Sequence, residues 1–166
     1  MFVLTSLHGK VTDKRTMTLF GVRFYEKQVI GGEENPLLVR WILIRFKAWG
    51  VYVHKLCRSD YERALHDHPW SFVSIVLKGG YWEVHDQTLN RREQRFWRGR
   101  GEVMLRPAEW RHRVVLGGRP AWTLVIVGRR FRRWGFHLPG GWCWWRQHDP
   151  EKGICADEVL WTGGSD

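Results

Sequence analysis

Short apolar, β-branched runs punctuated by glycine dominate this chain, and that rhythm confines it to all-β architectures. Leu37–Phe46, Val51–Leu56, Ser71–Leu77, Tyr81–His85, Glu102–Leu105, Arg113–Leu116 and Trp122–Val127 each read as a strand. Lys78-Gly79-Gly80 is a hairpin signal, and Gly99-Arg100-Gly101 and Gly117-Gly118 mark further turns. No long amphipathic helix interrupts the pattern, so a sandwich or barrel is expected. Met17–Phe24 is ambiguous, Gly31–Pro36 reads as a loop, and Ser59-Asp60-Tyr61-Glu62 as a turn or a single helical turn. From Gln147 onward proline, glycine and charge predict an irregular tail.

With 166 residues, 43% of them apolar, the chain reads as one globular domain with its own core. No apolar run approaches a membrane span, and Met1–Lys10 has neither a basic leader nor a sustained apolar stretch. The three cysteines, Cys57, Cys143 and Cys155, show no paired spacing and no CxxC. That excludes a zinc ribbon and predicts reduced thiols in a cytoplasmic protein, with Cys57 a small buried side chain.

The net charge of +10 is concentrated: 13 arginines and three glutamates lie between Arg91 and Arg133. Phosphate or nucleic acid is one partner for such a segment. No helix-turn-helix, zinc finger or aromatic RNA-binding motif accompanies it, which argues against specific nucleic-acid recognition. The 12 tryptophans, four of them at 134, 142, 144 and 145, read as core or subunit contact rather than a ligand platform.

The chemistry-bearing constellation is His66-Asp67-His68-Pro69 together with His112. On an extended strand His66 and His68 point to the same face, and Asp67 to the other, where it orients a neighbour. Two imidazoles on one face and a third from a distant strand suit a divalent transition metal (Fe(II), Mn, Ni or Zn) with coordination positions left open. Glu83, on the strand after the Gly79-Gly80 turn, is a candidate fourth ligand or acid/base. Trp70, Phe72, Tyr81 and Trp110 could line a small-molecule pocket, with Arg106 and Arg111 at its rim. His54, His85, His137 and His148 have no comparable pairing and read as surface or hydrogen-bonding residues. No organic cofactor is signalled.

The spacing of these residues resembles the cupin superfamily, the double-stranded β-helix barrels related to jelly rolls. His66, His68 and Gly79 fit the first cupin motif, with Phe72 where that motif has glutamate. Gly101, Pro107 and His112 fit the second, with Glu109 and Leu116 at its remaining glycine and asparagine positions. The block Leu56–Glu83, with Leu-His-Asp-His-Pro-Trp and Gly-Gly-Tyr-Trp-Glu, looks like a group of bacterial and phage cupin-like proteins without an established activity. The resemblance implies a barrel core at about 37–127, an N-terminal arm at 1–36 and a Trp-rich C-terminal segment at 128–166. Loss of the carboxylate leaves a three-histidine set similar to that of the thiol dioxygenases, which bind iron and carry a His-Asp-His sequence. Arg40, Arg58 and Arg106 are then the arginines available to a substrate carboxylate.

Three functions follow as expectations. The first is a metal-binding cupin acting on a small molecule, dioxygenase-like if catalytic. The second is a metal-free sugar-nucleotide isomerase or epimerase, with a histidine base and arginines on the diphosphate. The third is a non-catalytic binding or structural protein. The resemblance also implies a homodimer formed through the sheets.

Overall fold

The fold is described from a computed structural model, for residues 10–12, 17–19, 22–60, 64–86, 93–149 and 153–156. Tyr61 and Glu62 of the expected turn, and the tail beyond residue 156, lie outside the described residues. Among the described residues every regular element is a strand. In chain order these are β1 (Lys10–Thr12), β2 (Met17–Leu19), β3 (Val22–Ile30), β4 (Leu38–Arg45), β5 (Gly50–Leu56), β6 (Leu65–His66), β7 (Phe72–Lys78) and β8 (Gly80–Asp86). There follow β9 (Glu93–Gly99), β10 (Val103–Arg106), β11 (Arg113–Leu116), β12 (Ala121–Val127), β13 (Gly135–Leu138), β14 (Gly141–Trp144), β15 (His148–Asp149) and β16 (Ile154–Cys155).

Two sheets face each other. The first runs β1-β3-β4-β5-β12-β7-β10, with β2 on β3; β12 returns from far along the chain to lie between β5 and β7. The second has two halves, β11-β8-β9 and β14-β13-β6, whose one direct link among the described residues is the antiparallel bridge His66↔His112. Alternation decides what lies between the sheets. Tyr52, Val125, Ser74 and Met104 stand opposite one another across four strands and are all buried. Val76, Met104 and Ala121 of the first sheet meet Tyr81 and Val114 of the second in one cluster. A second cluster joins Ile42, Tyr52, Val125 and Val127 with Trp70 and Phe72. The outer surface of the first sheet carries exposed Leu43, Leu77, Val103, Leu105 and Ile126.

The strands expected between residues 37 and 127 are present to within about two residues. The sheets also reach beyond that core. β3 pairs with β4 along most of its length, and β13 pairs with β6, so the N-terminal arm and the Trp-rich segment both contribute strands. β9, rich in arginine and aromatics, forms because it pairs with seven consecutive residues of β8. At the β7–β8 hairpin Gly79 has φ 73°, and a Cβ there would meet the Pro120 carbonyl oxygen at 2.8 Å. Both the turn and the close chain approach therefore require glycine.

Asp67 fastens the C-terminal hairpin to β6. It is 1% exposed; its Oδ1 accepts from the Gly135 amide at 2.8 Å. Its Oδ2 accepts from Arg132 at 3.1 Å and Trp142 Nε1 at 3.0 Å, and lies 3.2 Å from His137 Nε2. Burial alone would raise this carboxyl's pKa, but these donors outweigh it and hold the group below its ordinary range.

One expectation fails. Cys143 on β14 and Cys155 on β16 form a disulfide, with Cα atoms 5.6 Å apart. The β15–β16 hairpin folds the tail back so that two cysteines without recognisable spacing meet, and cysteine usage no longer argues for a reducing compartment. Cys57 is free and half-buried, its thiol 3.4 Å from the Lys55 carbonyl oxygen. No helix among the described residues is long and apolar enough to cross a membrane.

Two adjacent residues test the inside–outside assignment. Met104, 5% exposed, should cost about 2–5 kcal/mol on replacement by alanine. Leu105, 73% exposed, should cost within about 0.5 kcal/mol on the same change. Equal costs in urea unfolding would contradict the assignment. Asp67→Ala strands Arg132 and should cost about 3–5 kcal/mol, with limited proteolysis opening the β13–β14 hairpin first.

Candidate metal centre

β6 presents His66, the extended segment after it presents His68, and the turn before β11 presents His112. The backbone fixes all three. His66 and His112 exchange both N–H···O bonds, at 2.8 and 3.0 Å, and the His68 amide donates to the Ala108 carbonyl at 2.9 Å. The three side chains converge so that one ring nitrogen from each lies within 4.8 Å of the others. His68 Nε2 and His112 Nε2 are 3.0 Å apart. Two nitrogens bound to one metal at 2.0–2.1 Å are separated by about 3.0–3.4 Å, so this pair already stands at ligand spacing.

Behind two of the rings stand carboxylates, one of them within hydrogen-bond distance. His112 Nδ1 lies 2.9 Å from Glu83 Oε1, and His66 Nδ1 lies 3.6 Å from Asp60 Oδ2. An ionised carboxylate only accepts, so His112 Nδ1 carries the proton of that bond and its Nε2 faces His68. Burial is the main force on the other two rings. It draws His66 down to about 4, with Asp60 opposing, and draws His68 well below its ordinary value, with the neighbouring His112 and His66 adding to the effect. Both are neutral at physiological pH, the form a metal requires.

Glu83 is the electrostatic anchor. It is 1% exposed and receives five donors. Oε1 takes Arg106 Nε at 3.0 Å, Trp110 Nε1 at 3.0 Å and His112 Nδ1 at 2.9 Å. Oε2 takes Arg98 Nε at 2.7 Å and Arg106 NH2 at 2.6 Å. Burial alone would raise its pKa, but the His112 and Arg106 bonds and charges win and hold it well below the carboxylate range. Glu83 therefore stands behind His112 with its lone pairs occupied. The geometry gives it the role of orienting that ligand rather than joining the metal as a fourth.

The other sequence candidates divide. Phe72 meets His68 edge-on at 4.6 Å, so an apolar ring sits beside the ligands where the first cupin motif has its carboxylate. Arg106 and Trp110 serve Glu83, with the guanidinium 4.5 Å above the indole. Tyr81 is packed in the core, its hydroxyl 3.8 Å from Met104 Sδ; burial first, then Glu83, pushes its pKa up to about 12. Trp70 faces Tyr52 at 6.2 Å and lies under Arg45, away from the imidazoles. Arg111 is exposed, and Arg58 donates to the Gly31 carbonyl at 3.3 Å. His85 stacks on Phe96, His148 on Phe136, and His54 accepts from Arg40. The sequence reading missed Asp60, Arg98 and the aromatic wall of Trp134 and Phe136 beside His66. Asp60 and Arg98 carry no motif; only the fold brings them to the histidines.

No protein-family model and no curated protein matches the chain. Among solved structures, a cupin-2 domain from Rhodospirillum rubrum aligns with TM-score 0.51 and 12% identity, over 70% of this chain and 78% of that one. A double-stranded β-helix protein from Klebsiella pneumoniae aligns at 0.48 and 15% identity, over 63% and 88%. A polyketide cyclase from Streptomyces resistomycificus aligns at 0.47 and 20% identity, over 55% of this chain and 65% of its own length. The likeness to the first of these is one of fold: the chain has the double-stranded β-helix fold of the cupins.

Proposed function

We propose that this chain is a metal-binding cupin that acts on a small molecule, with His66, His68 and His112 as the metal ligands. The observation that carries the reading is the convergence of three ring nitrogens, two of them 3.0 Å apart, with the His112 ring fixed from behind by Glu83. The set fits a divalent transition metal by donor type, spacing and protonation. Fe(II) bound there would supply a Lewis-acidic, oxygen-reactive centre of the dioxygenase kind.

The surrounding residues support small-molecule chemistry. Glu83 fixes the His112 tautomer and, through Arg106 and Arg98, holds that edge of the site rigid. Phe72, Trp134 and Phe136 supply an apolar wall beside His66 and His68. Histidine ligands bring no negative charge, so a set without a carboxylate leaves the full ionic charge to act on an anionic or oxygen-bearing ligand.

A diphosphate clamp has less support. Arg98 and Arg106, the arginines nearest the histidines, are committed to Glu83, Arg113 to Glu93 and Arg132 to Asp67.

Protein purified without an affinity tag should carry about one equivalent of a first-row metal by elemental analysis, and His68→Ala should carry none. Absence of metal, with no rise in melting temperature on adding Fe(II), Mn(II), Ni(II) or Zn(II), contradicts the proposal. Glu83→Gln keeps all three ligands but unsettles His112, and should weaken Co(II) affinity about 10–100-fold in a competition titration.

A further inference from the structure

The row of residues that carries His66 across the second sheet ends at a disulfide. Phe136 on β13 is the register partner of both His66 on β6 and Cys143 on β14. Directly opposite residues share a face, so the imidazole, the phenyl ring and the Cys143 side chain lie on one side of the sheet. Cys155 on β16 stands opposite His148 on β15 in the same way. The Cys143–Cys155 bond therefore seats His148 on Phe136, where the two rings stack with centroids 4.1 Å apart. Phe136 in turn meets His66 edge-on, with centroids 6.3 Å apart. His148 is 4% exposed and Cys143 1%, whereas Ile154 and Cys155 face solvent.

Position makes this bond open to exchange and local in its effect. An attacking thiolate needs access to one sulfur only, and Cys155 is the exposed partner. β15 and β16 pair through two residues each, and so small a hairpin is marginal in water without further ties. The bond spans 12 residues and ties that hairpin to β14. It crosses none of the pairings of the first sheet or of β11-β8-β9, so both sheets outlast its opening. β13 likewise keeps its pairing with β6 and the Gly135 bond to Asp67. What the bond adds is the ring stacked on Phe136, and Phe136 is the aromatic neighbour that the ladder sets directly opposite His66.

We propose that Cys143–Cys155 is a thiol–disulfide exchange site, and that its oxidation state regulates the histidine centre through Phe136. The thiolate of a dithiol reductant attacks Cys155 Sγ, forming a mixed disulfide and expelling Cys143 as a thiolate. The reductant's second thiolate then attacks its own sulfur of the mixed disulfide and expels Cys155. Each thiolate released takes up the proton that an attacking thiol gave up. The reductant leaves as a disulfide, and its two electrons reside on the cysteine pair. With the bond open, the β15–β16 hairpin releases His148, Phe136 loses the ring stacked on it, and the wall beside His66 loosens. The oxidised chain holds His66 in ligand geometry more firmly than the reduced chain does. The effect on metal rests on the metal-centre reading; the exchange site itself does not.

Thiol titration, amide hydrogen exchange and Co(II) competition on the full chain test this, before and after dithiothreitol treatment and desalting under argon. Treatment of the folded chain should raise the thiols counted after denaturation from Cys57 alone to all three cysteines. In the metal-free protein the β13 amides should then exchange about tenfold faster, with those of β5 and β12 unchanged. Co(II) affinity should fall about fivefold. Oxidised glutathione should restore both values, and Cys155→Ser should match the reduced chain and ignore dithiothreitol. The reduced wild-type chain carries the test by itself if that variant does not fold. A bond that resists dithiothreitol until the chain is denatured, or β13 exchange that does not respond, would overturn the exchange site. So would loss of protection in β5 and β12 along with β13, because the bond would then be a staple of the whole fold. Equal Co(II) affinity in the two states overturns the regulation. A β13 response in a chain that takes no metal in either state upholds the exchange site and overturns the metal reading on which the regulation rests.

Discussion

The carboxylate of Glu83 is the interaction on which the site and much of the barrel depend. It sits on β8 of the second sheet and is reached by Arg98 from β9, Arg106 from β10 of the first sheet, and Trp110 and His112 from the connection into β11. One buried anion thus binds both sheets and the ligand-bearing turn. A buried charge is stable only when its hydrogen-bonding capacity is filled, and here five donors fill it. The two arginines bring more positive charge than Glu83 cancels, and that balance keeps the carboxylate ionised.

Phe72 has the opposite character and an equally direct effect. A carboxylate at that position would bring a negative charge to the histidine cluster; the benzyl group of Phe72 brings an apolar ring whose centroid lies 4.6 Å from that of His68. The cluster therefore holds no carboxylate of its own, and the acidic groups of the site act from behind the imidazoles, Glu83 on His112 and Asp60 on His66. Charge has moved from the inner to the outer side of the ligands.

Much of the fold was legible because local signals and tertiary structure agreed. Ser71–Leu77 followed by Gly79-Gly80 has strand periodicity and turn chemistry that the β7–β8 hairpin satisfies. The histidine triad was legible because two of its members are two residues apart on extended chain. What escaped depends on contacts between distant segments. Glu83 could be placed on a strand but not behind His112, because Arg98, Arg106 and Trp110 arrive from separate elements. β9 lacks apolar alternation and owes its form to β8. Cys143 and Cys155 meet because the tail folds back, which no spacing rule encodes.

The His66↔His112 bridge has a mechanical meaning. Among the described residues the two halves of the second sheet share one β-bridge, and both of its residues belong to the histidine cluster. An ion shared by His66 and His112 would be a covalent-strength stitch across the narrowest seam of the barrel, with His68 as its third anchor. Occupancy of the centre would then set how tightly β13–β14 is clasped to β11-β8-β9, making the sheet seam itself a gauge of whether metal is present.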